Sequence, residues 1–315
     1  MTSLSNRFIM RVIGREMLNN EMYGHAGLLR SYCGLKIPLP IQGYLQHGWS
    51  YGPGMPLGDI ESGELPRDSH FFLWNSRNEK ICHNLGLQNM KVIGAPLVYL
   101  QPPSGTWTGA PDSLLLFPAH TNENEPFAED GATLFSRYLK ELDPIIRSFQ
   151  STTMCLYWRE FEDARIRRLV EDRGLAITTL GHRDQNPDFV ARFRDLVLRY
   201  KYVCSNSYST ALFYSLYLGR RAFVHGETFV NRLKSESIES LTQFDEMRRR
   251  YPQLDWDRFN DTSFQDIGAD EIGASFRLPP DQLRTELGWT PFRQLKSIHR
   301  RIARYAQRKI GLSDD

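Results

Sequence analysis

SNSYSTALFYSLYLGRRAFV (residues 205–224) predicts a helix that begins in a cluster of small polar residues and ends near Gly219. The segments on either side, KYVCSN (201–206) and RAFVHG (221–226), predict buried strands. Ser, Asn and Thr side chains satisfy the unpaired N–H groups of a first helical turn, and Gly commonly ends a helix. The stretch therefore predicts one strand–helix–strand unit of a parallel α/β sheet.

The start of this helix has two interpretations. A helix cap uses one side chain and contributes about 1 kcal/mol, whereas six consecutive residues here carry hydrogen-bonding groups. In the functional interpretation, the surplus groups and the positive end of the helix dipole bind a phosphate. In the structural interpretation, they cap the helix and pack beside the sheet. The functional interpretation predicts contacts to a nucleotide at Ser205, Asn206, Ser207, Ser209 and Thr210.

Strands and helices alternate along the rest of the chain up to residue 226. Predicted strands lie in 36–46, HFFLWN (70–75), MKVIGAPLVYL (90–100), SLLLFPAH (113–120), TTMCLYW (152–158) and LAITTLG (175–181). Predicted helices lie at 76–86, 131–149, 161–174 and 187–200. This alternation is typical of an α/β fold with parallel strands covered by helices on both faces, in which ligands bind beyond the carboxyl ends of the strands.

A stretch rich in Pro and Gly, QPPSGTWTGAPD (101–112), predicts a crossing between two domains. We therefore expect an N-terminal α/β domain at 1–105, a second α/β domain at 106–280 and a C-terminal basic helix at 281–315. Within that helix, TPFRQLKSIHRRIARYAQRKIG (290–311) places apolar residues at helical spacing among arginines and lysines. The pattern predicts either packing on a domain or adhesion to an anionic membrane surface.

Composition limits the class of protein. The 315 residues include 39 basic and 37 acidic ones, a net charge of +2 that predicts no nucleic-acid partner. The four cysteines lie far apart and predict buried thiols of a reducing compartment rather than disulfides or a zinc site. No signal-peptide core or membrane span is visible, so we expect a cytoplasmic protein.

Four short motifs in order resemble a group of bacterial transferases: QHG (46–48), IGAP (93–96), FPAH (117–120) and the helix of 205–224. Over roughly 40–226 the chain is similar to GT-B glycosyltransferases of surface-polysaccharide biosynthesis. These are Kdo and sialic-acid transferases and, more distantly, teichoic-acid glycerophosphotransferases. The resemblance implies two Rossmann-like domains with a cleft between them, and a nucleotide-sugar donor held by the Ser/Thr-rich helix start. It favours a CMP-sugar, a glycan or lipid-linked glycan acceptor and no other cofactor.

Three residues are candidates for the base that removes the acceptor proton. His47 follows a predicted strand, and imidazole titrates near neutrality, although a lone histidine is often structural. His120 ends the FPAH strand at the same sheet edge and would act as base or steady the leaving phosphate. Asp130, in Glu129-Asp130-Gly131, resembles the acidic motif of bacterial sialyltransferases, but it lies downstream of FPAH rather than upstream. In the alternative interpretation, Asp130 only places a negative charge at the N-terminus of the helix that follows it.

Cationic residues at neighbouring strand ends are candidates for binding the donor. YWREFED (157–163) stands where sialyltransferases carry a Pro-His pair, which is missing here. Arg159 would supply charge to the donor, and His182 or Arg183 would replace the imidazole, because arginine matches phosphate and carboxylate geometry. The alternative is a surface Arg159 paired with Glu160 or Asp163.

An Asp-x-Asp pattern in LDWD (254–257) follows a polar stretch rather than an apolar strand, so we expect no metal site there. The sequence thus favours a metal-independent glycosyltransferase acting on capsule or lipopolysaccharide. Two alternatives stay open: a glycerophosphotransferase-like enzyme that uses a CDP donor, and a catalytically silent GT-B-like scaffold at the membrane.

Overall fold

A computed structural model describes residues 20–51, 70–101, 110–121, 126–229 and 238–290, with side chains from residue 244 in the last range. The strands are β1 (Tyr44–Leu45), β2 (Phe71–Leu73), β3 (Met90–Val92), β4 (Ala110–Phe117), β5 (Ser151–Leu156), β6 (Ala176–Thr179), β7 (Tyr200–Ser205) and β8 (Arg221–Val224). The α-helices are α1 (His25–Tyr32), α2 (Ser76–Asn84), α3 (Gly131–Ile146), α4 (Trp158–Glu162), α5 (Ala164–Glu171), α6 (Phe189–Val197), α7 (Thr210–Tyr217), α8 (Ile238–Arg250), α9 (Gln265–Glu271) and α10 (Pro280–Glu286). Single 3₁₀ turns lie at Met22–Gly24, Pro96–Tyr99, Pro252–Leu254, Trp256–Arg258 and Ala274–Phe276.

The larger sheet has five parallel strands in the order β6-β5-β4-β7-β8. The chain runs outward from β4 through β5 to β6, and then returns to the other side of β4 to form β7 and β8. The strand order therefore reverses between β4 and β7. In such sheets the crevice at the reversal is the usual ligand site. The predicted α/β fold with parallel strands is confirmed.

The smaller sheet has three short parallel strands in the order β1-β2-β3. Its predicted strands were too long. The strand predicted at 90–100 ends at Val92, because Gly94 takes a positive φ of 76° and Pro96 begins a 3₁₀ turn. The strand predicted within 36–46 is limited to Tyr44–Leu45. It follows Gly43, where an added Cβ would lie 2.5 Å from the carbonyl oxygen of His70.

The helix predicted at 161–174 is two helices, α4 and α5, that meet at Asp163. Asp163 has extended backbone (φ −73°, ψ 106°), and its carboxylate accepts the backbone N–H of Arg165 at 2.9 Å. Asp163 is thus an N-cap within the predicted helix, which explains the break. The helix predicted at 131–149 forms over Gly131–Ile146 and buries one apolar face against the sheet.

One apolar cluster joins the two sheets. It contains Phe72 and Trp74 from the smaller sheet and Val203 from the larger one, together with side chains of α6 and α7. Trp74 stacks on Tyr214 with ring centroids 5.5 Å apart. A second cluster fills the opposite face of the larger sheet, under α3 and α5. Burial on both faces explains the continuous apolar runs of these strands.

The end of the described chain returns to the N-terminal half. The Tyr32 hydroxyl donates to the Leu278 carbonyl oxygen at 3.0 Å, and the Arg284 guanidinium donates to the Cys33 carbonyl oxygen. The Trp289 indole N–H donates to the Pro40 carbonyl oxygen at 3.0 Å. These contacts place residues 278–289 beside α1 and the segment that leads into the smaller sheet. Residues 291–315 of the predicted basic helix lie outside the described residues, and the boundaries near 105 and 280 stay predictions.

Within the described ranges, no helix combines the length and the apolar character that crossing a lipid bilayer requires.

Candidate functional site

A cavity of about 500 Å³ lies at the carboxyl ends of strands from both sheets. Loops that follow β1, β4, β5, β6 and β7 line it, and the start of α1 closes one side. The cavity covers the point between β4 and β7 where the strand order reverses. Its described lining includes Ser205, Ser207, Ser209 and Thr210, which we call the serine wall, and His25, His47 and Arg183, which we call the histidine wall.

The serine wall is the N-terminus of α7. Ser209 is the N-cap, and its hydroxyl accepts the backbone N–H of Leu212 at 3.4 Å. The Ser207 hydroxyl is half-buried and forms no hydrogen bond within the described ranges, and its backbone N–H donates to the Ser205 hydroxyl at 3.3 Å. One side chain therefore caps the helix, and three further residues with hydroxyl groups, Ser205, Ser207 and Thr210, line the cavity beside the helix N-terminus. This is the arrangement that a phosphate site at a helix N-terminus requires.

Thr210 connects the serine wall to the loop that carries His47. The backbone N–H of Trp49 donates to the Thr210 hydroxyl oxygen at 2.8 Å. The Trp49 ring packs on Phe213 of α7, with centroids 4.6 Å apart. Thr210 can still donate its own hydroxyl hydrogen to a ligand. His47, two residues before Trp49, is thereby held close to the helix N-terminus.

Asn206 is fully buried and serves the framework. Its side-chain carbonyl accepts the backbone N–H of Ala119 at 2.6 Å, and its amide donates to the Glu227 carbonyl oxygen at 2.7 Å. These bonds connect the end of β7 to the segments that follow β4 and β8. Asn206 was predicted as a nucleotide contact together with Ser205; Ser205 lines the cavity, whereas the Asn206 side chain is engaged in the structure.

His47 lies in the cavity wall with a neutral imidazole at physiological pH. Burial lowers its pKa to about 4, and the positive charge of Arg183 acts in the same direction. An anion placed between these groups would favour the protonated form and raise that pKa. The proton affinity of His47 is therefore expected to depend on what occupies the cavity.

His120 also lines the cavity, but on its exposed side. Its ring stacks on Tyr157 with centroids 4.3 Å apart, and its Nδ1 lies 2.7 Å from the Thr121 carbonyl oxygen. The two histidines were predicted to share one sheet edge, but His47 follows β1 of the smaller sheet and His120 follows β4 of the larger one, and both line the cavity. The two imidazoles come from different halves of the chain.

Asp130, the third predicted base, lies outside the cavity lining. Its carboxylate caps α3 by accepting the Thr133 N–H at 3.0 Å, and it pairs with Arg165 at 3.0 Å. The bond from the Thr133 amide and the bond from Arg165 lower the pKa of Asp130. Its neighbour Glu129 pairs with Arg137. The geometry thus matches the helix-capping alternative of the sequence analysis.

Of the three predicted donor cations, Arg183 lines the cavity, whereas Arg159 and His182 are absent from its described lining. Arg159 lies in α4 and is partly buried. The His182 ring packs on Trp158 with centroids 4.9 Å apart. The structure therefore brings Arg183 together with the serine wall and His47, and leaves Arg159 and His182 outside the described cavity lining.

The charge of the cavity is one-sided. Its described lining residues include one arginine and three histidines, but no aspartate or glutamate. Such a wall favours an anionic ligand, because no fixed negative charge opposes it. It also offers no carboxylate ligand for Mg²⁺. Across the described ranges, no group of three or more His, Cys, Asp or Glu residues is placed to hold a metal ion.

Trp49 is held in place by a residue far away in the sequence. The Glu271 carboxylate, 2% exposed, accepts the Trp49 indole N–H at 2.7 Å and the Tyr251 hydroxyl at 2.6 Å, and it pairs with Arg77. Burial alone would raise the pKa of Glu271, but the bonds from Arg77, Tyr251 and Trp49 keep it below its usual value. This buried network fixes the loop after β1 against α9.

Sequence reasoning missed three polar residues of the site. His25 and Tyr208 line the cavity, and Glu271 positions Trp49. Tyr208 interrupts the SNSYST cluster and is 8% exposed, and its hydroxyl has no hydrogen-bond partner in the described ranges. His25 and Glu271 stand in no motif, so long-range packing alone reveals them.

No protein-family model matches the chain, and no curated protein matches it by sequence. The solved structures with a limited likeness to the chain include two bacterial proteins. TarM from S. aureus, as a mutant in complex with Fondaparinux, alpha-GlcNAc-glycerol and UDP, is 12% identical with a TM-score of 0.30; the match covers 75% of this chain and 43% of TarM. A UDP-N-acetylglucosamine 2-epimerase from Listeria monocytogenes is 12% identical with a TM-score of 0.34. That match covers 64% of this chain and 57% of the epimerase chain. The chain spans about half the length of these structures. TM-scores this low do not establish a shared fold, so the function is argued from the residues of this chain.

Proposed function

We propose that the chain is a metal-independent glycosyltransferase of GT-B type. It transfers a sugar from a nucleotide-activated donor, CMP-linked Kdo or a nonulosonic acid being favoured, to a bacterial surface glycan. The observation that carries the proposal is the cavity at the reversal of the strand order. There the amide-rich start of α7 faces two imidazoles and Arg183, and no described lining residue carries a carboxylate.

The donor phosphate binds at the serine wall in this proposal. The hydroxyls of Ser207, Ser209 and Thr210 and the first backbone N–H groups of α7 surround it. As the sugar leaves, negative charge develops on the phosphate. Oriented amide dipoles and Arg183 stabilise that charge without needing to reorganise.

His47 is the proposed base that removes the proton from the acceptor hydroxyl. An imidazole with a pKa of about 4 is a weak base. Bound phosphate brings negative charge close to His47 and Arg183 and raises the pKa toward the working range. The base is therefore active mainly when the donor is in place, which limits proton transfer in the empty site.

A panel of CMP-, CDP-, UDP- and GDP-linked donors tests the proposal by thermal shift and by calorimetry. We expect stabilisation by at least one donor, with cytidine nucleotides preferred, and product formation with a glycan acceptor. Transfer of glycerol phosphate from CDP-glycerol instead would identify the glycerophosphotransferase alternative. No stabilisation by any nucleotide would contradict the proposal and favour the silent scaffold.

The remaining sequence predictions complete the proposal. Residues 1–105 form the acceptor side of the cleft, residues 106–280 hold the donor phosphate at the serine wall, and the predicted basic helix within 281–315 adheres to an anionic inner-membrane surface, where a lipid-linked glycan is presented. Each surface cation would add about 1 kcal/mol to such adhesion. Sedimentation of the full chain with phosphatidylglycerol vesicles, compared with phosphatidylcholine vesicles, tests the membrane contact: we expect binding to the anionic vesicles only.

A further inference from the structure

His25 is a buried polar residue that the framework does not use. It is the first residue of α1, it is 2% exposed, and its ring lines the cavity. Its Nδ1 has no hydrogen-bond partner within the described ranges. An unsatisfied buried polar group costs about 1–3 kcal/mol, so native proteins rarely keep one without a reason.

The backbone holds His25 in this position. Gly24 adopts a left-handed φ of 72°, and an added Cβ there would lie 1.8 Å from the Pro187 carbonyl oxygen. The Tyr23 N–H donates to the Arg183 carbonyl oxygen at 2.8 Å. The start of α1 is thus pressed against the loop that carries Arg183. Because the N-cap is Gly24, no side chain caps this helix.

The surroundings of His25 favour a ligand with negative charge. Burial lowers its pKa to about 3, and the nearby His47 acts in the same direction, so the ring is neutral at physiological pH. A neutral imidazole offers one donor and one acceptor nitrogen. The histidine wall holds no fixed negative charge, and Arg183 stands in the same wall.

We propose that His25 is a ligand-binding residue that donates a hydrogen bond to a second anionic group of the donor, separate from the phosphate at the serine wall. The inference rests on the proposed function and deepens it. Two kinds of donor share this chemistry: a nucleoside diphosphate, whose second phosphate would bind here, and a nucleoside monophosphate linked to a sugar acid, whose carboxylate would bind here.

The test compares His25→Phe with the wild-type chain by calorimetry, using CMP, CDP and CMP-linked sialic acid as probes. Phe keeps a planar aromatic ring and removes both nitrogens. We expect CMP affinity to change by less than about twofold, and the affinity of a probe with the second anionic group to fall by about tenfold or more, since a hydrogen bond to a charged group is worth that much. Loss with CDP indicates the second phosphate, and loss with CMP-linked sialic acid indicates the carboxylate. His83→Phe, an exposed residue of α2 outside the cavity lining, is the matched control.

Thermal stability gives an independent readout. A ligand-binding His25 predicts an unchanged or higher melting temperature for His25→Phe, because the substitution removes an unsatisfied polar group. A lower melting temperature with unchanged affinity for every probe would overturn the inference and leave the proposed function standing. Failure of the wild-type chain to bind any of these three probes would overturn the inference, and failure to bind any nucleotide of the donor panel would overturn the proposed function as well.

If His25→Phe does not fold, the imidazole ¹⁵N shifts of His25 in the wild-type chain, assigned through His25→Asn, replace the affinity comparison. They should move with CDP or CMP-linked sialic acid more than with CMP. Shifts that move equally with all three probes, or not at all, would overturn the inference.

Discussion

The two walls of the cavity are built in different ways. The serine wall is a single run of residues at one helix start, and its capping bond, free hydroxyl and amides all lie within 205–213. The histidine wall combines residues from the start of α1, the loop after β1 and the loop after β6. A local run reveals itself in the sequence, whereas a wall assembled from distant segments does not. Under the proposed function the walls divide the work: the serine wall binds the phosphate, and the histidine wall supplies His47 as the base, with Arg183 and His25 beside it to bind negative charge.

The largest expected effect tests that division. His47→Ala should lower kcat by about 10²–10⁴-fold, the usual contribution of a general base, and should change the Kd of a donor nucleotide by only a few-fold. Steady-state kinetics and calorimetry measure the two quantities, and His83→Ala is the control.

A variant on the other side of the cavity sharpens the same comparison. If His120→Ala stops turnover and His47→Ala does not, the base belongs to the β4 loop and the division fails. Asp130→Asn should retain turnover, because Asp130 lies outside the described cavity lining and caps α3.

The next effect concerns the pH profile of the reaction. The pH profile of kcat/KM for the donor reports the donor-free enzyme, in which the pKa of His47 is about 4. The profile of kcat reports the enzyme with its donor bound. Because bound phosphate raises the pKa of a nearby imidazole, the acid limb of kcat should lie at higher pH than that of kcat/KM. Coincident acid limbs would show that the donor does not tune the base.

A smaller effect is expected from the serine wall. Thr210→Val removes the hydroxyl that accepts the Trp49 N–H and faces the cavity, so donor affinity should fall by about tenfold, or about 1.4 kcal/mol. Ser209→Ala should lose about 1 kcal/mol of unfolding free energy, as N-cap replacements do, and should also lose affinity. Asp163→Ala removes the cap of α5 and should lose similar stability while its affinity stays unchanged. If Ser209→Ala and Asp163→Ala lost the same amount of donor affinity, the result would contradict a binding role for the serine wall.

The last effect concerns how the stability of the chain depends on pH. His25 and His47 have folded-state pKa values of about 3 and about 4, below the unfolded value near 6.5. The unfolded chain therefore binds more protons between pH 4 and 6.5, so the stabilising contribution is complete above about pH 6.5 and is lost as pH falls. Each histidine adds about 1.4 kcal/mol per pH unit to the slope near pH 5. Urea titrations of His25→Phe should give a shallower slope than the wild-type chain, and an equal slope would contradict the assignment.

The sequence predicts the fold better than the site, for physical reasons. Periodicity and caps are local, so the α/β alternation and the start of α7 follow from neighbouring residues. Strand length in the smaller sheet was overestimated because apolar residues continue through Gly94 and Pro96 into a 3₁₀ turn. Asn206 looks like a ligand residue in the sequence, but its hydrogen bonds to Ala119 and Glu227 depend on how the strands come together. The same dependence hides His25 and Glu271.

The most direct test of the central claim is an ¹⁵N TROSY titration of the chain with CMP or CDP, because the proposal locates a phosphate at named amides. We expect the backbone amides of Thr210 and Ala211 to shift and to saturate at the Kd that calorimetry reports. Nucleotide binding that leaves these amides unmoved and shifts residues elsewhere would place the phosphate outside the serine wall and contradict the account.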